Sequence, residues 1–372
     1  MKKSKNLEIE FLRFIFCIMV ILQHSQYVTK DFPDSLRFTA AGHKAIYFFF
    51  AVSGFLMVTS YFKNNTFGVS CEKAAWKFSL NKMKPIYPDF LFAVLINLAL
   101  TLGAAFVAGT LDMAKFAQYI SEVFPDVIGV SGAGMKSFHL GVAWYLGAMF
   151  VILPIFYYML CKNNKFFLYF FAPVAFPFLL AIRYRLSTSS DSTIKVINSM
   201  IESPLKAAIG LLVGVLAYLV CERIKKCDFT PFGKFVLTSV EIIGYAFIIY
   251  SSVFTTKVVN TYLVPVFIFT TAITFSEKSA VINLFRKGRL FSFLGKASLP
   301  LYLNHTSVFY VVVRLFPKAS YFHNMMISIP FIILLSAFEY FGVRLIMLLW
   351  KKSGIRLIKK RNEDNSTGTA QT

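Results

Sequence analysis

Charge is scarce in this sequence, and negative charge is the scarcer of the two signs. Only 15% of the 372 residues are charged, and 18 Asp and Glu stand against 39 Lys and Arg. A soluble domain needs more charge than this to cover its surface, so the composition argues against an ordinary soluble protein. What the sequence has instead is 57% hydrophobic residues, among them 43 phenylalanines.

Long apolar runs recur from near the start of the chain to Trp350, and each is long enough to cross a lipid bilayer. They predict an all-α integral membrane protein, built as a bundle of about ten transmembrane helices. The helices are expected at about residues 9–28, 43–62, 87–108, 141–160, 165–183, 204–221, 235–254, 258–276, 298–316 and 326–350.

No segment between these runs is long enough to form a soluble domain of its own. We therefore predict one polytopic membrane domain at residues 9–350, preceded by a cytoplasmic N-terminus at residues 1–8. Residues 351–372 are expected to form a cytoplasmic tail that is first basic and then disordered. The first run lacks a small-residue cleavage site and contains Arg13 and His24, so it is interpreted as a retained helix.

The basic residues cluster between alternate apolar runs. With the N-terminus inside, 25 Lys and Arg lie on the cytoplasmic side and 11 on the other side, which includes the segment around Asp126. This bias predicts that both termini are cytoplasmic and that the helix number is even. It also explains the net charge of +21 without nucleic acid, which we do not expect as a partner. The five cysteines avoid the outer side and are predicted to be free thiols.

The first apolar run carries three ionisable residues, which are costly inside a membrane. Glu10 and Arg13 are three residues apart and can pair on one helix face. His24 follows Arg13 by eleven residues, which returns it to within about 20° of that face, ~16 Å further along the helix. The alternative is an ordinary structural role for each residue, with Arg13 as a snorkelling anchor and His24 as an interfacial residue. Their shared face favours a functional site.

The ninth run supplies a second pair of site candidates, Tyr302 and His305, three residues apart. His305 is expected about halfway across the membrane. The alternative to a role in the site is a buried histidine whose hydrogen bonds are satisfied within the helix bundle. Two further ionisable residues, Glu339 and Arg344, are taken as structural.

These residues occur within motifs that resemble the acyltransferase 3 family of membrane proteins. Glu10, Arg13 and His24 resemble the start of that family. Four later segments resemble its motifs in the same order, and the resemblance extends to about Trp350. They are FFFAVSGFL at residues 48–56, IYP at 86–88, AWYLG at 143–147 and SLPLYLNH at 298–305.

The resemblance implies an O-acyltransferase that moves an acyl group, usually acetyl, from cytoplasmic acyl-coenzyme A to a hydroxyl of a glycan or lipid-linked saccharide. It makes Arg13 and His24 the essential residues. A histidine is the usual base for such a hydroxyl, and Arg13 can hold the donor's phosphates or an oxyanion. Glu10, Tyr302, His305 and Trp144 are expected to support the site, although a tryptophan in the place of Trp144 is more often a packing or interfacial residue.

One departure concerns the basic motif before residues 86–88, where the family commonly has Arg-x-x-Arg. Here Lys82 fills the first place, Pro85 the second, and Lys84 can substitute by register. We expect Lys82 and Lys84 to bind the donor, although a lysine lacks the planar guanidinium with which an arginine makes two parallel hydrogen bonds.

The expected partners are acyl-coenzyme A as donor substrate, a glycan or lipid-linked saccharide as acceptor, and membrane lipids. No permanently bound cofactor and no metal are expected, because no metal-ligand spacing occurs. The expected location is the cell membrane, crossed several times. An exporter of a small organic acid or glycan precursor is the alternative, with the same buried charges lining its path. An inverted repeat would favour the exporter, and none is seen in the sequence.

Overall fold

The fold is helical throughout the part of the chain that a computed structural model describes, residues 6–29, 32, 44–63, 69–129, 131, 144–188, 191–254, 260–285 and 288–368. A 3₁₀ turn, Ser25–Val28, extends the first helix, and a π-helical turn, Phe167–Phe171, joins α7 to α8. The helices are α1 Leu7–His24, α2 Ile46–Lys63, α3 Cys71–Met83, α4 Tyr87–Val107, α5 Met113–Val127, α6 Trp144–Lys162, α7 Asn164–Phe166, α8 Ala172–Thr188, α9 Ser192–Lys225, α10 Pro231–Phe254, α11 Asn260–Ser276, α12 Ile282–Phe285, α13 Arg289–Leu315 and α14 Tyr321–Gly368.

Where the structure describes them, all ten apolar runs predicted from the sequence lie on helices, so the prediction of an all-α membrane protein is confirmed in its class. Within the described residues, seven helices are long and apolar enough to cross a membrane. The predicted first, eighth and ninth spans are not among them, because α1 and α13 carry polar groups and α11 is short. The number of about ten spans and the cytoplasmic termini therefore stay predictions.

Helix α3 was not predicted, and it packs antiparallel against α6. It starts at Ser70, whose hydroxyl accepts a hydrogen bond from the backbone amide of Lys73. Near this end Lys162 of α6 lies 3.7 Å from Glu72, and two turns later the rings of Phe78 and Tyr157 stack at 4.3 Å. The end of α3 is thereby placed beside the middle of α6.

Helix α5 was also not predicted, and it doubles back along α4. Asp112 caps its start by accepting a 2.7 Å hydrogen bond from the amide of Lys115. At its end the Tyr87 hydroxyl, in the first turn of α4, donates a 2.7 Å hydrogen bond to the Val127 carbonyl. If α4 begins on the cytoplasmic side, α5 returns towards that side. The segment that the sequence predicted as an outer loop thus contains a helix, and the side of the membrane on which Asp126 lies stays a prediction.

Close helix contacts at glycines bring the site-bearing helices together. A side chain at Gly54 of α2 would strike the backbone of Leu211 in α9, and one at Gly214 of α9 would strike the backbone of Ala51. On the other side, Gly295 of α13 lies against Glu10 of α1, so α1 and α13 approach closely. These contacts pair α2 closely with α9 and α1 closely with α13.

Candidate functional site

A cavity of about 420 Å³ lies among α1, α2, α6, α13, α14 and the junction of α3 with α4. One part of its lining is charged and the other part is mostly apolar with a few hydroxyls. The charged residues are Glu10, Arg13, Lys82, Asp89, Lys296 and Arg344. The apolar and hydroxyl-bearing wall includes Phe49, Ser53, Leu56, Tyr145, Leu146, Met149, Leu153, Ser298, Leu299 and Tyr302.

Two of the four cations in this cavity are held by carboxylates. Arg13 forms the predicted pair with Glu10, one helical turn before it, at 3.0 Å. Arg344 of α14 lies 3.6 Å from Asp89 of α4, and its guanidinium sits above the Tyr340 ring. Four cations against two carboxylates leave the charged part of the cavity positive, which suits an anionic ligand.

Lys82 reaches this cavity from the last turn of α3, and Lys84 does not line it. Burial lowers the pKa of the Lys82 ammonium, and the neighbouring Arg13 charge lowers it further. Lys84 is exposed. Of the two predicted donor-binding lysines, the structure therefore brings only Lys82 to the cavity.

His24 and His305 are in direct contact. The Nδ1 atom of His24 lies 2.9 Å from the Nε2 atom of His305, and the two rings are 5.1 Å apart. The Nδ1 atom of His305 lies 3.3 Å from the carbonyl oxygen of Leu301, which can only accept. If His305 donates from Nδ1, its Nε2 accepts from the Nδ1–H of His24. Neutral His24 is then left with Nε2 as a proton acceptor.

The turn after His24 is fixed to the start of α14. The hydroxyls of Ser25 and Tyr321 are 2.9 Å apart, and the Asn324 amide donates a 2.8 Å hydrogen bond to the Val28 carbonyl. The position of His24 at the end of α1 is thus set by contacts on both sides, to α13 and to α14.

Tyr302 connects the cavity to the histidine pair. It lines the cavity, and its ring lies 6.0 Å from that of His305. His305 itself is fully buried and His24 is partly exposed. The structure thus brings Tyr302, His305 and His24 together. Tyr302 lines the cavity with Glu10, Arg13 and Lys82, and the two histidines lie behind it and do not line the cavity.

Trp144 lies apart from this cavity. The ammonium of Lys206 lies 5.3 Å from the centre of its ring, and the ring of Phe50 lies 6.3 Å away. The residue after it, Tyr145, faces the cavity instead.

Sequence reasoning missed several residues of this cavity. The sequence predicts only a structural role for Arg344 and only a contribution to the charge bias for Lys296, because nothing in their local sequence sets them apart. Tyr145 and Ser53 stood within the quoted motifs without a role. Among the described residues, no group of three or more His, Cys, Asp and Glu side chains is arranged to hold a metal ion.

The fold and the site define a multi-pass helical membrane protein with a cationic cavity beside a pair of contacting histidines. Residues 6–338 match the family described as acyltransferase domain, the acyltransferase 3 family, over nearly the whole chain. The chain belongs to this family, as its motifs indicated, and the family implies acyltransferase activity. No curated protein and no solved structure matches the chain.

Proposed function

We propose that this protein is an O-acyltransferase of the cell membrane. It moves an acyl group, most simply acetyl, from cytoplasmic acyl-coenzyme A to a hydroxyl of a cell-surface glycan or lipid-linked saccharide. The observation that carries the proposal is the contact between His24 and His305 beside a cationic cavity. Membership of the acyltransferase family supports the reaction type.

The donor occupies the cavity in this proposal. Arg13, Lys82, Lys296 and Arg344 bind the phosphates of coenzyme A, because guanidinium and ammonium groups make charge-assisted hydrogen bonds to phosphate oxygens. Glu10 holds Arg13 in place. The apolar wall accommodates the less polar arm that carries the thioester.

His24 is the general base. Its Nδ1–H is engaged with His305, so Nε2 takes the proton of the acceptor hydroxyl. The hydroxyl oxygen attacks the thioester carbonyl, the carbon–sulfur bond breaks, and the proton passes from His24 to the leaving thiolate. His305 acts as a positioning residue, since it fixes the tautomer and the ring orientation of His24.

Two substitutions of His24 test this role. His24→Ala and His24→Gln should each lower kcat by about 10²–10⁴, the usual effect of losing a general base. The glutamine keeps polarity but cannot take the proton. Both variants should insert and accumulate as the wild type does. Near-full turnover in the glutamine variant would make His24 structural and would favour the exporter.

A further inference from the structure

Two cations lie over aromatic rings in a second part of the bundle, apart from the cavity. The guanidinium carbon of Arg183 in α8 lies 5.6 Å from the centre of the Tyr47 ring in α2. The ammonium of Lys206 in α9 lies 5.3 Å from the centre of the Trp144 ring in α6. An aromatic face attracts a cation without neutralising its charge. Both positive charges therefore stay available to an anion, and four helices contribute to the place where they lie.

Phe50 links these two contacts. Its ring lies 6.3 Å from that of Trp144, below the Lys206 ammonium. A side chain at Gly210, one turn after Lys206 in α9, would strike the Phe50 side chain. Tyr47 precedes Phe50 by one turn on the same face of α2. The two cation–ring contacts thus lie on either side of one close helix contact, and we treat them as one site.

The site lies near one surface of the membrane. Trp144 is the first residue of α6, ~27 Å from the lysine that ends this helix. Lys206 lies ~26 Å along α9 from Arg223. The hydrocarbon core of a bilayer is about 30 Å thick, so residues this far apart lie near opposite surfaces. By the charge bias of the sequence, the site is on the predicted outer surface.

The site has more positive charge and more hydrogen-bond donors than its own residues satisfy. Lys206 pairs with Glu202, one turn earlier in α9, at 2.5 Å. Among the described residues, no carboxylate forms an ion pair with Arg183, and its buried Nε has no hydrogen-bond partner. The Tyr47 hydroxyl has none there either, although this side chain is only 5% exposed. Buried donors without partners are costly, so the site suits an anionic acceptor.

We propose that Arg183, Lys206 and Tyr47 bind the phosphate of a membrane lipid. A guanidinium donates two parallel hydrogen bonds to phosphate oxygens, and the ammonium and the phenol can each donate another. The two cations exceed the Glu202 carboxylate by one charge, which a phosphodiester group neutralises. Lipid phosphates lie at the boundary of the hydrocarbon core, where this site is found.

The same chemistry occurs in two lipids. One is an anionic phospholipid of the bilayer, and the other is the phosphate-bearing carrier of a lipid-linked saccharide, an acceptor class proposed above. Binding of either lipid does not depend on the acyl-transfer reaction, so this inference and the proposed function can fail separately.

Lipid binding is measured by native mass spectrometry on the purified full-length protein in a neutral detergent. The probes are phosphatidylglycerol and a polyprenyl phosphate, with dioleoylglycerol and polyprenol as their phosphate-free counterparts. Arg183→Gln and Lys206→Gln should each lower the affinity for the phosphate-bearing lipids by about tenfold or more, because each removes hydrogen bonds from a charged donor. Arg183→Lys should lower it less than Arg183→Gln, because the lysine keeps the charge but not the planar guanidinium.

Arg185→Gln is the matched control. It makes the same change two residues further along α8, at an exposed arginine on a different face of the helix, and it should bind lipid as the wild type does. Tighter binding of the polyprenyl phosphate would support the proposal and assign the site to the acceptor's carrier, and tighter binding of phosphatidylglycerol would assign it to a bilayer phospholipid. Equal binding of the phosphate-free lipids would overturn the proposal. So would wild-type affinity in both glutamine variants, or inorganic phosphate binding as tightly as either lipid.

Discussion

The two histidines of the site differ in burial. His305 is fully buried, whereas His24 is partly exposed at the end of α1. A proton acceptor must be reached by its substrate, and a residue that sets a tautomer need not be. This difference supports His24 as the base and His305 as its positioning partner.

Removal of His305 should therefore slow the reaction without removing the base. His305→Ala should lower kcat by more than about tenfold. The loss should be smaller than that of His24→Ala, for which we expect about 10²–10⁴. The double variant should be little worse than His24→Ala alone, because both residues act in one unit. Steady-state kinetics of the three variants provide the check, and independent, multiplying losses would contradict the coupling.

Lys82 should make donor binding sensitive to alkaline pH. Its pKa is lowered by burial and by Arg13, so it loses its proton at a lower pH than an exposed lysine. Coenzyme A affinity should fall as pH rises towards about 10, where an ordinary lysine still keeps most of its charge. Lys82→Arg should flatten this decline, because a guanidinium stays charged.

Calorimetric titration with coenzyme A across this pH range measures the effect. Lys84→Arg is the control, since Lys84 is exposed and does not line the cavity, and it should keep the wild-type pH profile. If the Lys82→Arg profile equals that of the wild type, Lys82 does not contact the donor.

At the residue scale the sequence predicted single helix faces better than contacts between helices. The spacing of Glu10 and Arg13 predicted their ion pair, which the structure has at 3.0 Å. The contact of His24 with His305 joins residues 281 positions apart, and no local periodicity encodes such a distance. The same holds for Arg344, whose place at the cavity depends on how α14 crosses α4.

At the scale of elements, α2 and α9 form a close helix pair through glycines. Gly54 lies within the motif residues 48–56, next to Ser53, so the close approach holds part of the cavity wall. In a membrane such small residues allow helix backbones to approach. The motif at residues 48–56 thus serves helix packing, whatever its chemical role.

Gly54→Ala and Gly214→Ala should each destabilise the protein by about 1–3 kcal/mol, because the added methyl group meets backbone atoms that cannot move aside. Thermal unfolding in detergent should show a lower Tm. Gly103→Ala in α4 is the control, since nothing lies within 4 Å of the added carbon there. It should leave the Tm unchanged or raise it slightly. Equal Tm values for all three variants would contradict the close packing.

The helices α3 and α5 were missed because the sequence was searched for runs long and apolar enough to cross a bilayer. Both carry ordinary helix signals instead. Ser70 and Asp112 are N-caps, and α3 buries Ala74, Ala75 and Phe78 on one face. A search for amphipathic helical periodicity that starts at an N-cap residue would have predicted both helices. Their direction along α6 and α4 still depends on tertiary packing.

At the scale of the whole molecule, the charge bias of 25 to 11 predicts cytoplasmic termini. Reporter fusions test this, and the structure refines their placement. A fusion after Leu111, between α4 and α5, should report outside. Fusions after Phe229, between α9 and α10, and after Lys278, beyond α11, should report inside. A reporter outside at Phe229 would contradict the orientation and the helix count.

The central claim is that the protein itself transfers an acyl group, and the most direct measurement needs no membrane gradient. Purified wild-type protein in detergent is given acetyl-coenzyme A with a labelled acetyl group and a glycan hydroxyl probe such as methyl glucoside. The account predicts release of free thiol and appearance of the label as an alkali-labile ester on the probe, with both lowered about 10²–10⁴-fold in His24→Gln. Neither product in detergent, together with movement of labelled glycan precursor or organic acid across reconstituted vesicles, would contradict the account and establish an exporter.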